Sequence, residues 1–141
     1  MKWLYFIVGG MIVLIAGYAA NMTYIANPRV ADELRNSPSG ERAARVTLLV
    51  MPDGRELPVN YLREDDKVYI GVDGGWWRDF TDGGLEVDLL IKGVTYRAHG
   101  NVILDNQEYV DEIFARLRPA APEWLPDWLN GKLIVFTLQS A

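Results

Sequence analysis

The hairpin that contains Arg55 is the stretch of the chain whose residues could bind a phosphate group. Pro52-Asp53-Gly54-Arg55 joins two apolar runs, and Asp-Gly between such runs predicts a tight turn because these residues tolerate positive φ. Phosphate binding needs several converging donors in a positive field, whereas Arg55 is the only basic residue of the turn and lies between acidic residues. We favour a hairpin that only turns the chain, with a phosphate site at Arg55 as the alternative.

A second candidate site is the aromatic pair Trp76 and Trp77, which Arg78 follows directly. Two tryptophans could stack on a flat cofactor, with the arginine near its polar edge. The same residue types are favoured anchors at protein–protein interfaces, and they could also plug the end of a small barrel. We favour contact with a partner protein. We assign Trp124 and Trp128, which lie in a proline-rich stretch, to the same surface or to a membrane interface.

No catalytic or metal-binding residue is predicted. His99 is the only histidine, the chain has no cysteine, and no pair of carboxylates has a recognisable spacing. A single histidine in a strand is more often a packing or hydrogen-bonding residue than a ligand. The sequence contains no Ser-His-Asp arrangement and no P-loop motif, so it gives no indication of nucleophilic or phosphoryl-transfer chemistry.

The N-terminal stretch of the chain predicts a membrane anchor within residues 1–28. Residues 3–20 are apolar or small throughout, and no charged residue occurs between positions 3 and 28. This run is long enough for one tilted transmembrane helix near residues 3–25, and a cleaved signal peptide is the alternative. Lys2 precedes the run and several arginines follow it. The charge difference predicts a single-pass protein of the plasma or inner membrane, with the N-terminus outside and the C-terminal domain in the cytoplasm.

One face of this predicted helix carries small residues, namely Gly10, Val13, Gly17 and Ala20. Small residues let another helix approach closely, so we predict that this face binds other membrane-protein subunits. The chain has a net charge of −5, which does not suit nucleic acid and would be repelled by anionic lipid. The helix, and not surface charge, would therefore hold the protein in the lipid bilayer.

The rest of the chain is predicted to be a linker followed by a mainly β domain. Residues 29–44 form the linker, which could include a short surface helix, and residues 45–141 form the domain. Alternating or continuous apolar runs predict strands, and the pattern that follows Asp105 predicts one amphipathic helix. About six mostly antiparallel strands with one packed helix indicate a small barrel. The predicted strands are residues 45–51, 56–64, 67–73, 85–92, 94–104 and 132–139.

The order of these elements resembles the split β-barrel flavin-binding superfamily, in particular its deazaflavin-dependent nitroreductase-like branch. The resemblance runs from about residue 45 to residue 138. It rests on the strand pattern, a glycine-rich break before a tryptophan, and a Gly-x-x-Tyr-x-Ala hairpin at residues 93–98. In that family a longer first loop with several basic residues holds the cofactor phosphate, whereas here the loop is shortened to residues 52–56. The resemblance implies a flavin or deazaflavin cofactor in contact with Arg55, Trp76, Trp77 and Arg78.

Two functions remain open at the level of sequence. The first is a noncatalytic accessory or scaffold subunit of a larger membrane protein complex, for example an energy-transducing respiratory or photosynthetic complex of electron transport, with no cofactor. The second is a membrane-anchored flavin- or deazaflavin-dependent oxidoreductase that acts on quinone-like or nitro-type acceptors. We favour the accessory subunit, because the shortened loop argues against an enzyme.

Overall fold

The computed structural model of the chain describes residues 1–21, 27–118 and 131–139. These residues form three α-helices, two short 3₁₀ helices and seven strands. The α-helices are α1 (Lys2–Asn21), α2 (Asn27–Asn36) and α3 (Gln107–Leu117), and the 3₁₀ helices are Arg42–Ala44 and Gly75–Phe80. The strands are β1 (Val46–Val50), β2 (Glu56–Asn60), β3 (Leu62–Glu64), β4 (Lys67–Val72), β5 (Leu85–Ile91), β6 (Val94–Ile103) and β7 (Lys132–Leu138).

The described strands form one antiparallel sheet in the order β2-β1-β5-β6-β7-β4-β3. β2 and β3 are at opposite edges of this order, yet only Tyr61 separates them along the chain. Because a single residue cannot cross a flat sheet of seven strands, the sheet must curl until its two edges meet at Tyr61. The backbone N–H of Tyr61 donates to the carbonyl of Arg45 at 3.0 Å, which extends the β1–β2 ladder to this corner. The result is a half-barrel.

The strand β7 joins the two halves of the half-barrel, because it lies between β6 and β4. Lys132 is opposite Val72 of β4, and Leu138 is opposite Ala98 of β6. The strands β2, β1, β5 and β6 lie on one side of β7, and β4 and β3 lie on the other.

Alternating side chains of the strands separate an inner core from two outer layers. Leu49 points into the core of the half-barrel, whereas its neighbour Leu48 packs against α2 on the outer face. Ile70 points inward in the same way, whereas Tyr69 packs against α3. The buried side chains of the inner core include Val68, Val87, Leu89, Ile134 and Phe136.

The number of strands and the run 56–64 differ from the sequence prediction. That run was predicted as one strand, but it is two strands, β2 and β3, which belong to opposite edges of the sheet. The break is at Tyr61 because the chain changes edges there. The half-barrel therefore has seven strands where about six were predicted.

The predicted transmembrane anchor is wrong. No helix among the described residues is long and apolar enough to cross a membrane. The prediction ran one apolar span from residue 3 to about residue 25, whereas α1 ends at Asn21, and residues 22–26 lie outside the described part. The predicted single-pass localisation, with its outside N-terminus and cytoplasmic domain, is wrong for the same reason.

Candidate functional site

One end of the half-barrel, here the filled end, is formed by the turn 51–55, the 3₁₀ helix Gly75–Phe80 and the start of β7. Phe80 is 1% exposed and lies edge-on to Phe136, with ring centroids 5.4 Å apart. The ring of Trp76 lies edge-on to Phe80 at 5.9 Å. These aromatic rings continue the inner core to the surface. A cavity of about 280 Å³ lies at the same end, and its lining includes Met51, Asp53, Arg55 and Asp79.

Arg55, the predicted phosphate ligand, lies at this filled end between two carboxylates. Its Nε is 2.7 Å from Asp53, and its other guanidinium end is 3.0 Å from Asp79. The hydrogen bonds that Arg55 donates to Asp79 and, next in size, to Asp53 raise the pKa of Arg55. The backbone N–H of Arg55 is the main cause that lowers the pKa of Asp53, and the guanidinium adds to it. Two acids around one arginine leave no positive field for a phosphate.

Trp77 is half-buried and packs against the inner core, and cations lie over its ring. The Arg78 guanidinium is 4.9 Å from the ring centroid, and the Lys132 ammonium is 5.5 Å from it. A face already covered by a cation is poorly placed to stack on a cofactor. The structure thus brings Trp76, Trp77 and Arg78 to one surface together with Arg55. The predicted partner residues Trp124 and Trp128 lie outside the described residues.

The small-residue face predicted for the N-terminal helix is uncovered within the described chain. Val13 is 70% exposed, and no atom comes within 4 Å of a Cβ placed on Gly10 or Gly17. Ala20 belongs to α1, but its side chain lies outside the described part. The rest of α1 is equally bare, since Phe6 is 81% exposed. A surface helix in a folded domain usually buries one apolar stripe, and the described part of α1 buries none.

His99 has a hydrogen-bonding position in the structure. Its Nε2 donates to the carbonyl of Gly83 at 2.8 Å, which ties β6 to the turn before β5. Within the described ranges, His, Asp and Glu side chains do not come together in a group that could hold a metal ion.

The second end of the half-barrel, here the cavity end, lies at the start of β1 and contains residues to which the sequence analysis gave no role. A cavity of about 260 Å³ opens between the Tyr61 corner and the turn that joins β5 to β6. Its charged lining residues are Arg63 and Lys92. The sequence contains one indication of this site. Lysine is unusual in the first position of a tight turn such as Lys92-Gly93.

A larger cavity of about 370 Å³ lies between α2 and β2. Pro28, Ala31 and Leu57 supply its apolar wall, and Arg35 forms an ion pair with Glu56 inside it. Because the acidic and basic side chains of this cavity neutralise each other, the cavity favours neither an anionic nor a cationic ligand.

The chain matches no protein-family model, and a search of curated proteins finds no match. Among solved structures it is similar to a NimC/NimA family protein from Clostridium acetobutylicum, at 16% sequence identity and a TM-score of 0.41, over 86% of this chain and 87% of that one. At these values the similarity assigns no family and no activity to the chain.

Proposed function

We propose that the protein is a noncatalytic accessory or scaffold subunit of a larger protein complex, in which α1 is the main contact with its partner subunits. The observation that carries this proposal is the exposure of large apolar side chains along α1, such as Phe6 and Leu14 at 81% and 74%. Monomeric proteins rarely leave so large a continuous apolar surface in water, and such surfaces mark interaction sites. A partner subunit that buries these side chains would supply the stability that an isolated helix lacks.

The filled end supports a noncatalytic role. Asp53 and Asp79 neutralise Arg55, so the shortened loop offers no strong phosphate site. The cavity beside Arg55 is lined by these same two carboxylates. Trp77 remains half-exposed beside two cations, which suits an anchor that a partner covers on assembly, because Trp and Arg dominate the energetics of many interfaces.

Native mass spectrometry of the full chain, isolated gently through a tag from its own cells, tests this proposal. We expect a complex with defined partner subunits and fixed stoichiometry, and no flavin-like band in its absorption spectrum. The double variant Phe6→Glu with Leu14→Glu should lose the partners, because two charges in a buried contact cost about 2 kcal/mol or more. The control is Val94→Glu with Leu104→Glu, two exposed apolar residues of the β domain at 50% and 56%, and it should keep the complex.

A contrary result is equally defined. A yellow monomer or dimer that binds flavin or deazaflavin saturably, and loses the binding in Arg55→Ala, would replace the accessory role with the oxidoreductase. An unchanged complex in the α1 double variant would remove α1 as the contact.

A further inference from the structure

The cavity end combines an empty space with unbalanced positive charge. The cavity of about 260 Å³ is large enough for a small organic molecule or part of one. Arg63 and Lys92 are its charged lining residues, and no carboxylate in the described ranges forms an ion pair with either. Both cations stand in a chain with a net charge of −5. The wall of the cavity is formed by Ala44, Tyr61, Leu62, Arg63, Ile91 and Lys92.

Other arginines of the chain behave differently. Arg97 contacts Glu86 and Asp88, and Arg116 contacts Glu64 and Glu112. Carboxylates therefore neutralise these two arginines. Their absence around the cavity within the described part leaves the positive potential there uncompensated.

Arg63 is held in place without a carboxylate. Its Nε donates to the carbonyl of Asp65 at 3.1 Å, and one terminal nitrogen donates to the Tyr96 hydroxyl at 3.3 Å. The guanidinium carbon lies 4.8 Å from the centroid of the Tyr96 ring. An arginine positioned by neutral groups keeps its full charge and its remaining N–H donors for an incoming anion.

Lys92 provides an independent observation, because its backbone is strained. It has φ of +48° in the turn that continues with Gly93 at +84°. Asp65 and Asp82 also have positive φ, but aspartate tolerates this region, whereas a lysine there is unfavourable. Asn-Gly would suit this turn better. A strained residue at the rim of a cavity indicates a selected role for its side chain, and the chemistry that lysine adds over asparagine is its positive charge.

We propose that the cavity end binds a small organic anion, whose phosphate or carboxylate group lies between Arg63 and Lys92. The apolar part of the ligand contacts Leu62 and the ring of Tyr61. The Tyr61 hydroxyl donates to the carbonyl of Ala43 at 3.2 Å, which fixes this wall of the site. The inference goes beyond the accessory function and does not depend on it, because the site lies in the β domain and α1 is the proposed subunit contact.

Isothermal titration calorimetry of the full chain tests the site with phenyl phosphate and benzoate as separate probes, and with phenol as the uncharged control. Ionic strength is held constant with chloride. We expect saturable binding of at least one anion and none of phenol, and the stronger of the two anions identifies the head group. Arg63→Gln should weaken binding about tenfold or more, as expected for the loss of a charge-assisted hydrogen bond. Arg97→Gln, which removes a cation that does not line the cavity, should leave the affinity unchanged.

Lys92→Asn keeps the test decisive if Arg63→Gln does not fold. Asparagine suits the positive φ of this turn, so the variant should fold at least as well as the parent chain and yet bind the anion several-fold more weakly. The proposal is overturned if neither anion saturates, or if Lys92→Asn binds as tightly as the parent chain.

Discussion

Each end of the half-barrel has a small cavity, but the cations that line the two cavities differ in their ion pairs. At the filled end, Phe80 and Trp76 extend the core, and the cavity of about 280 Å³ there is lined by Arg55 together with the two carboxylates that neutralise it. At the cavity end the space is left empty, and no carboxylate within the described residues pairs with Arg63 or Lys92. The two ends therefore differ in whether the cations beside the cavity are neutralised.

The family resemblance and the contacts of individual residues point to different ends of the half-barrel. The resemblance to flavin-binding barrels directs attention to Arg55, which is at the filled end. The ion pairs of the structure direct attention to the cavity end instead. A cation binds a ligand strongly only if its charge is not already neutralised by a carboxylate. The following variants break or sharpen this contrast, from the largest expected effect to the smallest.

Phe80→Ala should give the largest loss of stability. The ring is 1% exposed and contacts Phe136 and Trp76, so its removal leaves a cavity that costs about 3 to 5 kcal/mol. Urea unfolding measures the change. Leu104→Ala is the control and should be nearly silent, because Leu104 is 56% exposed. A loss below about 1 kcal/mol for Phe80→Ala would show that the filled end is not part of the stabilising core.

Gly100→Ala tests how tightly the same aromatic rings are packed. A Cβ at this position would lie 2.6 Å from Phe136 and 2.9 Å from Phe80, and both rings are buried. We expect destabilisation by about 1 to 3 kcal/mol from overpacking, again measured by urea unfolding. Gly9→Ala is the matched control, since no atom lies within 4 Å of the position that its new methyl group would take, and it should not destabilise the chain. Equal stabilities for the two variants would contradict tight packing at the filled end.

Lys92→Asn should raise the stability of the domain by about 1 kcal/mol or less, because it relieves the positive φ of Lys92 without changing the turn. Thermal unfolding measures the gain as a higher Tm. Lys67→Asn, which replaces a lysine in a regular strand, is the control and should give no gain. A lower Tm for Lys92→Asn would mean that the lysine stabilises the cavity end, and the idea of a strained binding residue would lose its support.

Arg55→Gln should have the smallest effect on stability, because both of its ion pairs are exposed and such pairs contribute little. An NMR titration of the Asp53 carboxyl group, which measures its pKa in the variant, is more sensitive than unfolding. Its pKa should stay below the ordinary value of 3.8, since the main cause of the lowering is the backbone N–H of residue 55, which the variant retains. A lowered pKa stabilises the fold above the unfolded pKa, and this contribution is lost as the pH falls through the folded value. A return of the pKa to its ordinary value would assign the lowering to the guanidinium instead.

The sequence predicts local structure better than it predicts closure of the sheet. Alternation identified the strands around Leu89 and Ile70 because each pattern is contained within its own strand. The change of edge at Tyr61 depends on β3 pairing with β4 and on β7 joining the sheet, which no local pattern encodes. The helix after β6 was also predicted, but Asn106, and not Asp105, provides its N-terminal cap, accepting from the N–H of Tyr109 at 3.2 Å.

The candidate sites also have parts that neighbouring residues predict and parts that depend on distant residues. The Asp-Gly turn and the acids next to Arg55 can be read from neighbouring residues. Asp79 could not be predicted as its partner, because it lies 24 residues further along the chain. The cavity beside Lys92 could not be predicted either, because it forms only when the Tyr61 corner and the β5–β6 turn come together in space.

The position of β7 between β6 and β4 has a consequence for folding during protein synthesis. Hairpins such as β1–β2 and β5–β6 join neighbouring segments and can form as soon as they leave the ribosome. The pairing of Lys67 with Thr137 spans most of the β domain. Closing so long a loop costs more conformational entropy than closing a hairpin, so this contact forms late in folding. We expect the nascent chain to expose the apolar edges of β6 and β4 until residues 132–138 have emerged. During that interval the domain depends on chaperones more than its small size would suggest.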